Sequence, residues 1–447
     1  MLTRDSLIGV LKLRGLRRAV RARLPHRLLV QAHVRALIKG RRLPPGMIAG
    51  LDDRQRSERT AMLELSHRIG PVFKAVAHDR LLVYVVGIPL GRRLLRDHGD
   101  SLQGMTVQVE SIVPGGFIRA MQGDPHRQYR RSLMRAVVAD DVAAQKDTLQ
   151  SITDHRLHRY AATGESHGWS AAEYRAALGD IATGMLVCVV FGARPGTPVF
   201  DQLVAGFHAL GPKGFEWTIG DEQRKAFAAI RSCLQVYCLA ESDSSSILQR
   251  LHRAGQLDET MLGNLIYMVE MGRYDTRGLF RWLSKYAAEH PETAARIATE
   301  DQDAGSGKSS AEMFVMETLR SDQSEALIRL ARQDIEFEGF SIPKDTVVRI
   351  CMWESHHDKE AFPEPFRFRP ERFQQPMDAD RFAPFGLDQH QCPFGNMALT
   401  NGITFLTTLV RAFELTAIND GPPIRGRDLW EPAPGFSVRL NPRTETT

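Results

Sequence analysis

The sequence predicts a mainly α fold with small, segregated β-sheets, and three observations carry that expectation. From Pro125 to about Leu283 the apolar residues recur at helical spacing, broken by punctuation such as Ala193-Arg194-Pro195-Gly196. Two β-type runs lie in VFKAVAHDRLLVYVVG, Val72 to Gly87, around the turn-prone His78-Asp79-Arg80. Strand signals return only near the end, in DIEFEGFSIPKDTVVRICMW (Asp334 to Trp353) and GFSVRLNP (Gly435 to Pro442).

In chain order, residues 1–45 form a basic amphipathic N-terminal segment. Residues 1–42 hold twelve Lys or Arg against the single acid Asp5. Such a face either lies on an anionic membrane or partner, or is a solvated helix packed on the rest. Residues 46–447 read as one domain, because no linker divides them. Pro89 suits the first turn of a helix that follows the first strand pair. Glu338-Gly339 and Pro343-Lys344-Asp345 mark turns between the later strands. EDQDAGSGKSS, from Glu300 to Ser310, reads as a polar loop. No signal peptide or membrane span is visible, since the apolar part of MLTRDSLIGVLKL is short and cut by charge.

Composition narrows the function. A chain of 447 residues, 43% hydrophobic, buries a large core; a net charge of +5 and a pI near 9.0 are too mild to imply nucleic acid. Five cysteines are an odd number and too few for a disulfide scaffold, which fits a reducing, cytoplasmic setting. Cys233 and Cys238, with no His or Cys cluster beside them, read as core thiols rather than zinc ligands.

Cys392 differs from these. FAPFGLDQHQCPFGNMAL places it in a glycine-bearing loop just before an apolar helix, where backbone N–H groups favour an anion. A thiolate there is a nucleophile, a metal ligand or inert. Phe385, Gly386 and His390 precede it; Gly395 and Ala398 follow. Glu317 and Arg320 stand three apart on one helical face, His126 and Arg130 four apart on another, and FRFRPERF carries Arg372. Alone, Glu317 and Arg320 read as a surface ion pair, and His126 and Arg130 as a surface helix pair.

Taken together, in this order, these motifs resemble the cytochrome P450 family of haem-thiolate monooxygenases, over nearly the whole chain from Val72 to Pro442. The resemblance implies a triangular helical prism enclosing haem b, with Cys392 as the axial ligand of iron. An axial thiolate pushes electron density onto iron and favours O–O cleavage. By position, Phe385 packs against the macrocycle and sulfur, and His126, Arg130, Arg329 and His390 match the propionate-binding set. Glu317, Arg320 and Arg372 match a structural triad. Two departures from the loop pattern stand out: Asp388 and Phe394 occupy places where glycine is usual. Asp tolerates the left-handed conformation; Phe394 leaves the loop geometry open.

The oxygen-binding helix falls in NLIYMVEMGRYDTRGLFRWLSKYAAEHPE, Asn264 to Glu292. The family expects a glycine beside haem, then an acid and an alcohol that relay protons. One register puts Gly272 on the glycine, Tyr274 on the acid and Asp275 on the alcohol. A shift by one gives Asp275-Thr276 as an acid–alcohol pair and sets Arg273 on the glycine. The first register is preferred; in it Asp275 donates a proton directly, binds a cationic substrate group, or marks an enzyme without the usual relay. Alternatively Asp275 caps a break in the helix or pairs with Arg273 or Arg277.

The resemblance implies a soluble bacterial-type monooxygenase acting on a small apolar, specialised-metabolite substrate. Electrons would come from a separate ferredoxin and an NAD(P)H-dependent reductase. Met105 to Ile118, Met271, Gly272, Asp275, Gly435 and Phe436 are the candidate pocket residues. Two other readings stay open: an atypical haem-thiolate catalyst (oxidative coupling, desaturation or peroxide-driven oxidation) and a catalytically silent haem-binding protein.

Overall fold

The computed structural model describes residues 36, 38–50, 58–77, 80–105, 109–138, 144–211, 219–240, 246–300, 307–323, 325–425 and 429–443. The basic amphipathic face expected in segment 1–45 therefore lies almost wholly outside the described residues. In chain order the elements are β1 (Gly46–Gly50), α1 (Ala61–Ile69), β2 (Val72–Ala77), β3 (Arg80–Val86), α2 (Ile88–His98) and β4 (Leu102–Gly104). Helices follow: α3 (Gly123–Ala136), α4 (Lys146–His167), α5 (Ala171–Leu186), α6 (Pro198–Leu210), α7 (Asp221–Ala240), α8 (Ile247–Arg253), α9 (Glu259–Glu289), α10 (Pro291–Thr299) and α11 (Ser310–Thr318). Then come β5 (Ala326–Ala331), β6 (Ile335–Phe337), β7 (Phe340–Ile342), β8 (Val347–Cys351) and α12 (Met352–His356). The chain closes with α13 (Gly395–Ala412), β9 (Phe413–Ile418), β10 (Ile424–Arg425), β11 (Trp430–Glu431) and β12 (Ser437–Pro442). The expected mainly α fold with small sheets is what the structure contains.

The elements group into two compact units. The first comprises residues 1–105, 324–366 and 378–391. Its sheet runs β1-β2-β3-β8-β5-β4. β2 and β3 pair antiparallel, with Phe73 opposite Tyr84 and their rings stacked at 5.0 Å. β3 and β8 pair parallel, Val83 against Val348 and Val85 against Ile350, and all four side chains are buried. Pro89 does open α2, in its first turn. That helix lies close on the sheet because Gly91 has no side chain: a Cβ there would stand 2.5 Å from Ile350 Cγ2. The β6–β7 turn has Glu338 and Gly339 both left-handed (φ 52° and 71°), and Asp345 has φ 67°, as the turn residues predict. β5 and β4 carry no alternating pattern strong enough to have been anticipated.

The second unit comprises residues 106–323, 367–377 and 392–447. Its spine is α9, 31 residues without a break. Asp258 caps the start, its carboxylate accepting the Met261 N–H at 2.7 Å. The end is set by Pro291, which disfavours the helical conformation at His290 (φ −122°, ψ 62°) and then begins α10. Asp275 therefore caps no break. α5 and α13 pack on α9, and Gly402 of α13 permits the approach: its Cβ would sit 2.9 Å from Val315 of α11 and 3.3 Å from Leu279 of α9. The terminal strand β12 pairs antiparallel with β9, Pro442 opposite Phe413. Among the described residues one helical stretch, Ala171–Phe191, is long and apolar enough to cross a membrane by length and composition, which the sequence did not announce; most of it is buried inside the protein.

The Glu317–Arg320 pair is a buried knot rather than a surface pair. Both side chains are fully buried. Arg320 Nε and Nη2 donate to the two Glu317 oxygens at 2.7 and 2.9 Å, Arg372 Nε at 3.1 Å and the Arg369 N–H at 2.8 Å. One carboxylate thus compensates two guanidiniums and ties α11 to the turn of residues 370–373. Replacing Glu317 with Ala leaves two buried cations facing each other, which should destabilise the protein by about 3–5 kcal/mol. We expect Glu317→Ala to give little soluble, haem-loaded protein; normal yield and melting temperature would remove the knot's structural role.

Candidate active site

Cys392 stands three residues before α13. The Phe394 N–H donates to its sulfur, and Phe394 itself has φ −104° with its side chain buried. No left-handed residue is needed at 394, so phenylalanine fits where glycine was expected. Asp388 does adopt the left-handed conformation, φ 56°, as an aspartate can. In the first unit, Asp388 lies near Arg92, Arg329 and Arg96, which pull its carboxyl down while burial pushes it up more strongly.

The helix N-terminus does not make Cys392 easy to ionise. Burial pushes its thiol up to about 11, and the Asp275 carboxylate adds to that; the Phe394 N–H, Arg130 and Arg119 pull the other way and lose. Yet the cysteine is exposed in surface area. A residue that is accessible while protein surrounds it lines an interior space.

Asp275 borders the same space. It is the one exposed residue between Met261 and Ala288 on a helix otherwise buried or half-buried, and it acts electrostatically on Cys392. Arg130 of α3 is depressed by burial and raised by Cys392, so it too lies within electrostatic reach of the sulfur. His126 is buried beside Arg130, one turn earlier; burial lowers its pKa, and Arg130 and Arg127 lower it further, so the imidazole is neutral at neutral pH. Arg119, which precedes α3, was not singled out from the sequence: it belongs to no helical pair that a spacing rule detects.

The structure separates the central-helix candidates. Tyr274 and Arg273 turn away from Cys392. Arg273 Nε and Nη2 donate to Glu270 at 2.8 and 3.0 Å, its Nη2 also donates to the Gly211 carbonyl at 2.6 Å, and the Tyr274 hydroxyl donates to that carbonyl. Burial raises the Glu270 carboxyl, against the pull of Arg273. This is a packed polar cluster beside α6, not a group aimed at the sulfur. Thr276 is buried. A methyl on Gly272 would meet only Leu186 Cδ1, at 3.5 Å, an ordinary contact. Packing therefore does not require glycine there, although glycine inside a helix costs about 1 kcal/mol relative to alanine; close approach of a non-protein group would require it. In the first unit, Arg329 is buried on β5 while Phe385 and His390 are half-buried.

The donor set fits haem. One sulfur offers a soft anionic ligand whose ionisation needs a metal cation, because the protein alone disfavours it. Arg119, Arg130 and the neutral His126 offer donors for carboxylates. Among the described residues no group of three or more His, Cys, Asp or Glu could hold a metal by itself. Since the Tyr274 hydroxyl donates to the Gly211 carbonyl and accepts from Arg273 Nη2, Tyr274→Phe should lower stability by about 1–3 kcal/mol, the loss of two hydrogen bonds. The haem absorbance should not change; a shifted spectrum would place Tyr274 at the site instead.

Comparison with known proteins agrees with this geometry. The cytochrome P450 family model matches residues 289–438. The chain is 27% identical over 206 residues to abscisic acid 8'-hydroxylase 2 of Arabidopsis thaliana, covering 42% of this chain and 43% of that protein. It is 20% identical to cytochrome P450 81E8 of Medicago truncatula, over 86% and 88% of the two chains. The match thus spans less than half the length of the first relative. Among solved structures, the retinoic acid-bound cyanobacterial CYP120A1 superposes with a TM-score of 0.69 at 18% identity, over 90% of this chain and all of that one. A zebra fish cytochrome P450 with abiraterone gives 0.66 at 20% identity, over 86% and 98%. Residues 289–438 thus match the cytochrome P450 family, whose proteins hold haem, and the chain has the fold of solved cytochrome P450 structures.

Proposed function

We propose that this protein is a haem-thiolate monooxygenase that inserts one atom of dioxygen into a small apolar molecule, with electrons from a separate ferredoxin and an NAD(P)H-dependent reductase. The observation that carries the reading is the pairing of Cys392 with Asp275: an accessible cysteine and the one exposed residue between Met261 and Ala288 of the central helix interact electrostatically. The names of the relatives, hydroxylases among them, and the retinoic acid in one structural neighbour support a small organic substrate.

Haem, when bound, supplies the activation of dioxygen and the transfer of its oxygen atom. The rest falls to this chain's own residues. Cys392 would bind iron through Sγ, the Phe394 N–H holding that sulfur in place. Arg119, Arg130 and His126 would meet the propionate carboxylates. Gly272 leaves room beside the helix. Asp275 holds a proton on its carboxyl group and delivers it into the space, the role of a general acid. Thr276 would carry that role only under the shifted register, which sets Arg273 next to haem; the Arg273–Glu270 pair speaks against it. The N-terminal segment is a proposed contact for a membrane or partner, and the setting is proposed to be cytoplasmic.

Reduced protein with carbon monoxide should show the absorbance of thiolate-ligated haem, and Cys392→Ala should lose it. Retention of that absorbance in Cys392→Ala would refute the ligand assignment. Asp275→Asn should lower dioxygen-driven turnover by about 10²–10⁴-fold while leaving haem content and ligand binding near wild type. Hydrogen peroxide released per NAD(P)H oxidised decides the register: release by Thr276→Ala, with Asp275→Asn still coupled, would move the proton donor to Thr276.

A further inference from the structure

The first turns of α9 hold a second device, outside the residues that touch the sulfur. Thr260, Gly263, Asn264 and Tyr267 stand at i, i+3, i+4 and i+7, one stripe of the helix. The segment from Val113 to Ile118 lies on that stripe. A Cβ on Gly263 would come within 3.1 Å of Val113 Cγ1, and one on Gly115 within 3.3 Å of Thr260 Cγ2. Gly115 and Gly116 both have left-handed φ values, 74° and 81°, which bend the segment onto the helix. Phe117 meets Tyr267 edge-on at 4.6 Å.

Asn264, buried to 1% exposure, joins the two. Its Oδ1 accepts the Ile118 N–H at 2.7 Å, and its Nδ2 donates to the Gly116 carbonyl at 3.1 Å and to the Thr260 carbonyl at 2.8 Å. The amide is spent on backbone groups of an irregular segment that would otherwise be buried without partners. The residue after the segment, Arg119, acts electrostatically on Cys392. Asn264 and Asp275 are eleven residues apart, about three turns, so they share one face of α9. Along that face the Val113–Ile118 segment covers the first two turns, and Asp275 lies three turns beyond Asn264.

We propose that Asn264 is a positioning residue: its carboxamide latches the Val113–Ile118 segment onto α9 and fixes the wall of the space in front of Cys392, so that the latch sets the size of ligand admitted. This rests on the reading of Cys392 as the haem ligand. Asn264→Leu removes all three hydrogen bonds at similar volume. Asn264→Asp keeps an acceptor for the Ile118 N–H and loses both donors.

The test uses the full, haem-loaded chain, with imidazole and 4-phenylimidazole as iron-binding probes followed by absorbance, and amide hydrogen exchange at Ile118. In Asn264→Leu the Ile118 amide should exchange about 10–100-fold faster. The affinity ratio of the two probes should shift by at least about fivefold, since a loosened wall alters the larger probe most. Carbon monoxide absorbance should be unchanged. Asn264→Asp should keep Ile118 protected while the Gly115–Phe117 amides speed up, which tests the latch even if the leucine variant fails to fold. Unchanged exchange in a folded leucine variant would overturn the latch, as would fast Ile118 exchange in the aspartate variant. Faster exchange with an unchanged probe ratio would overturn the link to ligand size. Absence of thiolate-type absorbance in the wild-type protein would instead sink the reading of Cys392, and with it the wall, while the exchange data would still report on the latch alone.

Discussion

Burial of the Cys392 sulfur sets up a conflict that the surrounding residues only partly relieve. The Phe394 N–H and two guanidiniums favour an anion, yet desolvation holds the thiol at about 11. A cation bound directly to sulfur reverses that balance, because it adds a short-range Coulomb interaction in a medium that screens little. The site is therefore built to be completed by a metal. Its other features follow from the group that brings the metal: two guanidiniums and an imidazole to meet carboxylates, a central-helix glycine that packing does not require, and one accessible carboxylate.

The central helix α9 serves these demands by dividing its faces. The Asn264–Asp275 face carries the docked segment and then the reactive space. The face of Glu270, Arg273 and Tyr274 closes on the Gly211 carbonyl. Further along, Arg281 pairs with Glu431 at 2.7 Å and Lys285 with Asp420 at 2.6 Å, anchoring the stretch between β9 and β12. A helix that holds charged residues on two buried faces and an exposed acid on a third needs each charge paired locally. The i, i+3 pair of Glu270 with Arg273 achieves that within the helix itself. The Glu317 knot fixes α11, which packs on α13, the helix that follows Cys392.

Much of this was legible in the sequence, where residue chemistry alone determines geometry. Asp388, Glu338, Gly339 and Asp345 announce left-handed turns because few residues tolerate them. His290-Pro291 announces the end of α9 because proline lacks an N–H. The cysteine loop and the Glu-x-x-Arg pair are recognisable by order and spacing. Other features depend on what lies across space. Asn264 reads as an ordinary polar residue in an apolar run; only the segment folded against it shows why it is there. Tyr274 takes its direction from Gly211, 63 residues away, and Phe394 was judged by a family pattern rather than by the backbone angle it adopts. The ease of ionising Cys392 was misread because a helix N-terminus is visible in sequence and burial is not.

The account stands on sulfur being bound to iron at Cys392. X-ray absorption at the iron edge of the haem-loaded protein measures that bond without requiring a substrate, a redox partner or turnover. The account predicts one sulfur scatterer in the first coordination shell of wild-type protein, absent in Cys392→Ser and retained in Cys351→Ser. A first shell of nitrogen and oxygen alone in the wild-type protein, or a sulfur that persists in Cys392→Ser, would contradict it.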